Sequence, residues 1–198
     1  FLSVVGIIAL FNLILSAMML VGIPVIVVQI LGMSDTAIGI TQGAMGLGGL
    51  AGGIIAGAAA EKIRLKNGYI FLILCSLAAF FMGISVFNAV PKNIGYIIIT
   101  AVSFGAMCAS AMFSVSLMTA VQQQTPPNLL GKIMAVSIAV SSSSQPVGQA
   151  VYGVLFDAFA SKPYWITTGA AVLAMAVSLY SKKVFAVLEK ESTDAELA

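Results

Sequence analysis

Long uncharged apolar runs alternate with short polar breaks along this chain, and the breaks set the number of elements. No charged residue occurs between Phe1 and Leu31. A helix rises 1.5 Å per residue and the hydrocarbon core of a bilayer is about 30 Å thick, so about 20 apolar residues cross it. Reading between charge clusters and turn residues gives six such runs, near 2–31, 36–60, 68–88, 94–121, 129–157 and 164–186. The connections are short: Gly32–Asp35, Glu61–Asn67, Asn88–Asn93, Gln122–Asn128 and Ala158–Pro163. Pro91, Pro126, Pro127 and Pro163 lie in or beside them, where a missing N–H does little harm. Glycine is frequent inside the runs, yet hydrocarbon offers the backbone no partner but itself and so enforces helix. The pattern predicts an all-α membrane protein: a six-helix bundle over residues 1–188 and a polar tail over 189–198.

Composition agrees. Apolar residues make up 60 % of the 198 positions and charged residues 8 %, with a mean hydropathy of +1.08. A soluble domain carries about 25 % charged residues. A net charge of +2 without a basic stripe excludes nucleic acid as a partner and leaves membrane lipid as the surroundings. The absence of histidine removes imidazole ligands, His-activated nucleophiles and a His proton relay. Cys75 and Cys108 sit within apolar runs at no metal or disulfide spacing, so they read as small hydrophobes in helix packing. No metal, no cofactor and no enzymatic activity are expected. The chain opens on an apolar run without Met or a charged segment, unlike a signal peptide, and further residues are expected upstream.

Charge sets the orientation. With alternating spans, one side receives Lys62, Arg64, Lys66, Lys132, Lys182, Lys183 and Lys190, the other Lys92 and Lys162. The excess of positive charge assigns the first side, with the C-terminus, to the cytoplasm. Tyr96, Tyr164 and Trp165 then fall at the outer interface and Tyr69 and Tyr180 at the inner one, as aromatic belts do.

The two halves of the chain also echo each other. The second run ends in Gly57-Ala-Ala-Ala-Glu61 and the fifth in Gly153-Val-Leu-Phe-Asp157, a glycine four residues before a carboxylate in each case. Three intervening spans place the copies on opposite sides of the membrane. An inverted 3+3 repeat, about 1–90 and 91–188, predicts that arrangement, and such repeats build transporters.

The residues from Gly57 to Lys66 carry a resemblance. Gly57, Glu61, Lys62, Arg64 and Lys66 are similar to the cytoplasmic-loop signature of the major facilitator superfamily: a glycine, three residues, an acid, a base, then a glycine and further bases. Arg64 replaces the second glycine and Leu65 one base. In that superfamily the signature is degenerate between helices eight and nine, so the chain resembles the second half of such a protein. The segment Thr125-Pro-Pro-Asn-Leu-Leu-Gly131-Lys132-Ile-Met-Ala resembles the loop before helix eleven in drug-efflux branches, including macrolide-efflux-like proteins. The resemblance implies a twelve-helix transporter whose N-terminal six helices are a missing partner of this chain, in a bacterial cytoplasmic membrane. Glu61 at a helix end can pair with a neighbouring helix start and base and latch one conformation; the alternative is that the basic residues only set topology.

Inside the membrane the second run holds Gly39, Gly43, Gly46, Gly48, Gly49, Gly52, Gly53 and Gly57. Their spacing suits close helix approach, either static or as a surface sliding against the missing half. Pro24 and Pro146 are expected to kink the first and fifth helices, and Pro146 frees the carbonyl of Ser142. Polar stripes occur at helical spacing. The fourth run aligns Thr100, Ser103, Met107, Ser110 and Ser114; the fifth aligns Met134, Ser137, Ser141, Ser144 and Gly148, with Gln145 beside them. Asn12, Ser16 and Met19 join from the first run, Gln42 and Met45 from the second. Neutral polar groups mixed with thioethers suit loose binding of amphipathic small molecules. Asn12, Gln42, Met107, Ser110, Ser141 and Gln145 are the expected substrate contacts; the competing reading is that small polar residues merely hold helices together.

No charged side chain lies deep in any run, so a coupling ion such as a proton would be handled in the missing half. The functional expectation is half of an ion-coupled exporter of amphipathic molecules or drugs, working by alternating access. An uptake permease for small organic solutes is the alternative on the same fold, and a non-transporting scaffold subunit the alternative of another class. In a cysteine-free background, single cysteines at Lys92 and Lys162 should react with an impermeant thiol reagent from outside the cell. A cysteine at Lys66 should react only from inside, and outside labelling there would reverse the orientation.

Overall fold

The computed structural model describes residues 2–59, 67–87, 89–160 and 162–196. Six helical rods run up and down. The first, α1, is continuous through Leu2–Phe11, Asn12–Ser16, Ala17–Pro24 and Val25–Ile30, the second and fourth of these wound as π-helix. It is followed by α2 (Asp35–Ala58), α3 (Gly68–Ser85), α4 (Lys92–Gln124), α5 (Pro127–Ala158) and α6 (Tyr164–Glu196). Five are long and apolar enough to cross a membrane; α5 has 32 residues and is more polar, carrying Ser141–Gln145 in its middle. The helices run longer than the apolar pattern at several ends. In particular, α6 continues through the polar segment to Glu196, where the pattern predicts a tail outside the helix.

Both prolines lie inside helices that continue past them. After Pro24 the rod widens into the π-helical stretch Val25–Ile30, one of the ways a helix re-satisfies freed carbonyls. Near Pro146 the Ser144 hydroxyl donates to the Ser141 carbonyl at 2.9 Å. The left-handed backbone of Gly32, φ +68°, turns the chain from α1 into α2, a conformation glycine adopts without Cβ strain.

With the Thr125 turn placed at the bottom, α1, α3 and α5 climb while α2, α4 and α6 descend. The main packing pairs are α2 with α4, α1 with α5, α3 with α4, α1 with α6, and α3 with α6. Exchanging α1 with α4, α2 with α5 and α3 with α6 maps this set onto itself. That is the pairing of an inverted 3+3 repeat.

The repeat extends to single residues. A Cβ on Gly52 would strike the backbone carbonyl of Cys108, and one on Gly148 would strike that of Leu13. Gly148 lies 96 residues after Gly52, and Cys108 lies 95 after Leu13. The same glycine-to-backbone contact therefore ties α2 to α4 and α5 to α1. Gly48 makes a further such contact with Phe104.

Side chains fill the rest. Phe113 of α4 stands between Phe11 of α1, at 6.5 Å, and Phe185 of α6, at 6.1 Å. Ser76 and Ser178 meet at 3.1 Å between α3 and α6, and the Cys75 thiol donates to the Ala106 carbonyl at 3.4 Å between α3 and α4. Such interhelical bonds contribute about 0.6 kcal/mol each, so close packing dominates. At the top, Phe87, Tyr164 and Trp165 form an aromatic cluster; at the bottom, Lys182 lies over the Tyr69 ring at 5.3 Å.

The glycines of α2 divide by this geometry. Gly48 and Gly52 are pressed on α4, whereas Gly39, Gly43, Gly46, Gly53 and Gly57 have nothing within 4 Å of where a Cβ would sit. Gly52→Ala and Gly148→Ala should each destabilise the bundle by about 1–3 kcal/mol, read as a lower unfolding temperature in detergent. Gly105→Ala, at an open position, should not.

Candidate functional site

Helices α1 and α4 occupy equivalent positions at the centre of the two repeats, and they are held apart rather than packed. Two cavities of about 210 Å³ each lie in the gap. The lower one is walled by Val4, Val5, Ile8 and Phe11 of α1, Phe113, Leu117 and Val121 of α4, and Met134 and Ile138 of α5. Its polar lining is Asn12, Ser16, Ser110, Ser114, Ser137 and Ser141. The upper cavity shares Phe11, Asn12, Ser16 and Ser110 and adds Leu15, Met19, Leu20, Met45, Cys75, Ala106, Met107 and Gln145. Shared walls make the two one tract from mid-bundle towards the bottom.

Five of the six expected contacts come together here. Asn12 and Ser110 touch both cavities, Ser141 the lower, Met107 and Gln145 the upper. Gln42 is placed differently: it is exposed on α2 and lines neither cavity, while Met45, three residues on, does. Gly57 ends α2 exposed. Glu61, Lys62, Arg64 and Lys66 lie outside the described residues.

The long stripe on α4 serves two purposes. Its upper end seals helices: Thr100 meets Thr41 of α2 at 3.0 Å, and Tyr96, one turn above the stripe, donates to the Ala37 carbonyl at 3.2 Å. Ser103 is fully buried, and its hydroxyl has no partner among the described residues. The lower members, Met107, Ser110 and Ser114, face the cavities.

Repeat symmetry shows what is missing at the bottom. Adding 96 to Thr41 leads to Ser137, and taking 95 from Thr100 leads to Val5. These two cannot form the hydroxyl pair that clasps α2 to α4, and both line the lower cavity instead. Gly48, pressed on Phe104, corresponds to Ser144. The hydroxyl clasp at the top of the α2–α4 pair therefore has no counterpart at the bottom of the α1–α5 pair, where both equivalent positions line the cavity.

Among the described residues, none that lines either cavity is charged, and no cluster of His, Cys, Asp or Glu could hold a metal ion. The chemistry on offer is hydrogen bonding by amides and hydroxyls beside thioether and aromatic surface. Two features escape sequence reasoning: the aromatic wall of Phe11 and Phe113, indistinguishable from ordinary core residues, and the π-helical turn Asn12–Ser16, which no residue period announces.

Two inverted three-helix units around a neutral central cavity define a membrane transporter fold. The family model of the Major Facilitator Superfamily matches residues 5–196, and the chain belongs to that superfamily. Neither a curated protein nor a solved structure matches it.

Burying a hydroxyl without a partner costs about 1–3 kcal/mol. Ser103→Ala should therefore leave the unfolding temperature in detergent unchanged or raise it, and a clear fall would show that this hydroxyl has a partner.

Proposed function

We propose that the chain is the six-helix half of a secondary active transporter that exports amphipathic small molecules by alternating access. The observation that carries this reading is the uncharged tract between α1, α4 and α5, with α2 clasped to α4 at the top and no counterpart clasp at the bottom, which we read as the open end. A path with one closed and one open end is what alternating access requires of each state. Neutral hydrogen-bonding groups on aromatic and thioether walls tolerate varied ligands, because thioethers are flexible and polarisable. With the bottom on the cytoplasmic side of a bacterial membrane, as the lysines favour, the tract faces the cell interior, where an exporter loads. The export direction and drug-like cargo draw further on the resemblance of the Thr125–Ala135 segment. With no ionisable group in the tract, coupling, to protons for example, falls to the other half.

The exposed faces of α2 and α5 fit a partner bundle that completes the cavity. In the complete transporter, Asn12→Leu and Gln145→Leu should each cut dye efflux from loaded cells about tenfold at unchanged membrane expression. Gln42→Leu tests whether α2 reaches the cargo once the cavity is complete, with a similar loss expected. Normal efflux in all three variants would remove the site assignment.

A further inference from the structure

The upper cavity concentrates sulfur. The chain holds 10 methionines and 2 cysteines among 198 residues, yet Met19, Met45, Cys75 and Met107 are four of the twelve residues around this one space. They arrive one each from α1, α2, α3 and α4, so no local run of sequence brings them together. Their heights agree. The Phe11 and Phe113 rings, 6.5 Å apart, set α1 beside α4; Met19 lies eight residues above the first and Met107 six above the second. At about 1.5 Å per residue, these two thioethers start within about one turn of each other. The Cys75 thiol reaches the carbonyl of Ala106, the residue before Met107. The Met107 methyl lies 3.9 Å from where a Cβ on Gly49 would sit, one turn along α2 from Met45.

Packing alone does not ask for sulfur at these places. Under the repeat, Met19, Met45 and Met107 correspond to Ser114, Ser141 and Asn12, and all three counterparts line the lower cavity. One part of the tract therefore presents oxygen and nitrogen where the other presents thioether. Soft sulfur ligands select soft cations such as Cu(I), and a thioether has no proton to lose on binding. No carboxylate or imidazole lines the upper cavity among the described residues, so a divalent ion would be buried without counter-charge and a monovalent ion costs less. Methionine is unbranched with three rotatable bonds, which lets sulfurs on the walls of a cavity of about 210 Å³ close on an ion. Thioethers also stand apart from the clusters of His, Cys, Asp and Glu that the described residues lack.

We infer that Met19, Met45 and Met107 form a binding site for a soft monovalent cation of the Cu(I) class, with the Cys75 thiol beside it. The sulfur site goes beyond the export of amphipathic molecules and does not depend on what the tract carries.

Silver(I), a stand-in for Cu(I) that does not change oxidation state in air, tests it. Free thiols take up silver wherever they occur, so Cys75 and Cys108 are replaced by alanine and the thioethers must act alone. Binding to the otherwise unaltered chain in lipid nanodiscs is measured by equilibrium dialysis against silver nitrate in chloride-free buffer, with uptake by empty nanodiscs subtracted. The expected result is saturable binding of one ion per chain, with sulfur as the nearest neighbour of silver in X-ray absorption. Met19→Leu, Met45→Leu and Met107→Leu conserve volume and so keep the fold; each should weaken binding at least about tenfold, the scale on which even outer-shell losses act. Met33→Leu and Met112→Leu, outside both cavities, should leave it unchanged. Absence of saturable binding, silver surrounded by oxygen or nitrogen alone, or an affinity that survives all three cavity substitutions together would overturn the site. So would an equal loss at Met33 or Met112. Each of those results leaves dye efflux, and with it the reading of the tract as an exporter's path, untouched.

Discussion

Close approach of helix backbones, made possible by glycine, is the constraint on which the rest of the bundle depends. In hydrocarbon, apolar side chains gain nothing by leaving lipid for one another, so helices associate where their surfaces meet tightly. Gly52 against Cys108 and Gly148 against Leu13 supply that contact between the repeats, with one glycine from each. They fix α2 on α4 and α5 on α1, and so leave α1 and α4 facing each other across a space that Phe11 and Phe113 fill only in part. The cavity follows from where the glycines are.

The same contact explains how a bundle with so few polar bonds holds a polar interior. Hydroxyls mostly return to carbonyls of their own helix, and at Ser85, Ser116, Ser137, Ser144 and Ser181 this satisfies them without tying helices together. Cross-helix side-chain bonds among the described residues are few: Thr41 with Thr100 and Tyr96 with Ala37 join α2 to α4 at the top, and Ser76 with Ser178 and Cys75 with Ala106 tie α3 to its neighbours. The counterparts of Thr41 and Thr100 at the bottom, Ser137 and Val5, cannot pair. A small inequality between two nearly equal halves thus leaves the top clasped and the bottom without that clasp.

Much of this was legible in the residues. Charge clusters and prolines placed all six helices, and the 96-residue echo of Gly57-Glu61 in Gly153-Asp157 announced the inverted repeat that Gly52 and Gly148 then realise in contact. Periodicity brought Met107, Ser110, Ser141 and Gln145 to one tract because a helical face is a geometric fact. It misjudged how far the α4 stripe would serve one purpose: period alone cannot tell that Thr100 and Ser103 look towards neighbouring helices while Ser110 looks into a gap. Gln42 shows the same limit, since its exposure depends on what α2 packs against. Nor could spacing reveal the π-helical turn at Asn12, whose Leu13 carbonyl abuts Gly148 of α5.

The central claim is that one tract between α1, α4 and α5 is open at the end carrying the Thr125 turn and shut at the other. In a background with Cys75 and Cys108 replaced by alanine, single cysteines at Ser110 and Ser141 can be challenged with an impermeant thiol reagent from either side of sealed vesicles. The account predicts reaction at both from the side of the Thr125 turn and protection from the opposite side. Reaction from the opposite side alone, or from neither, would contradict it.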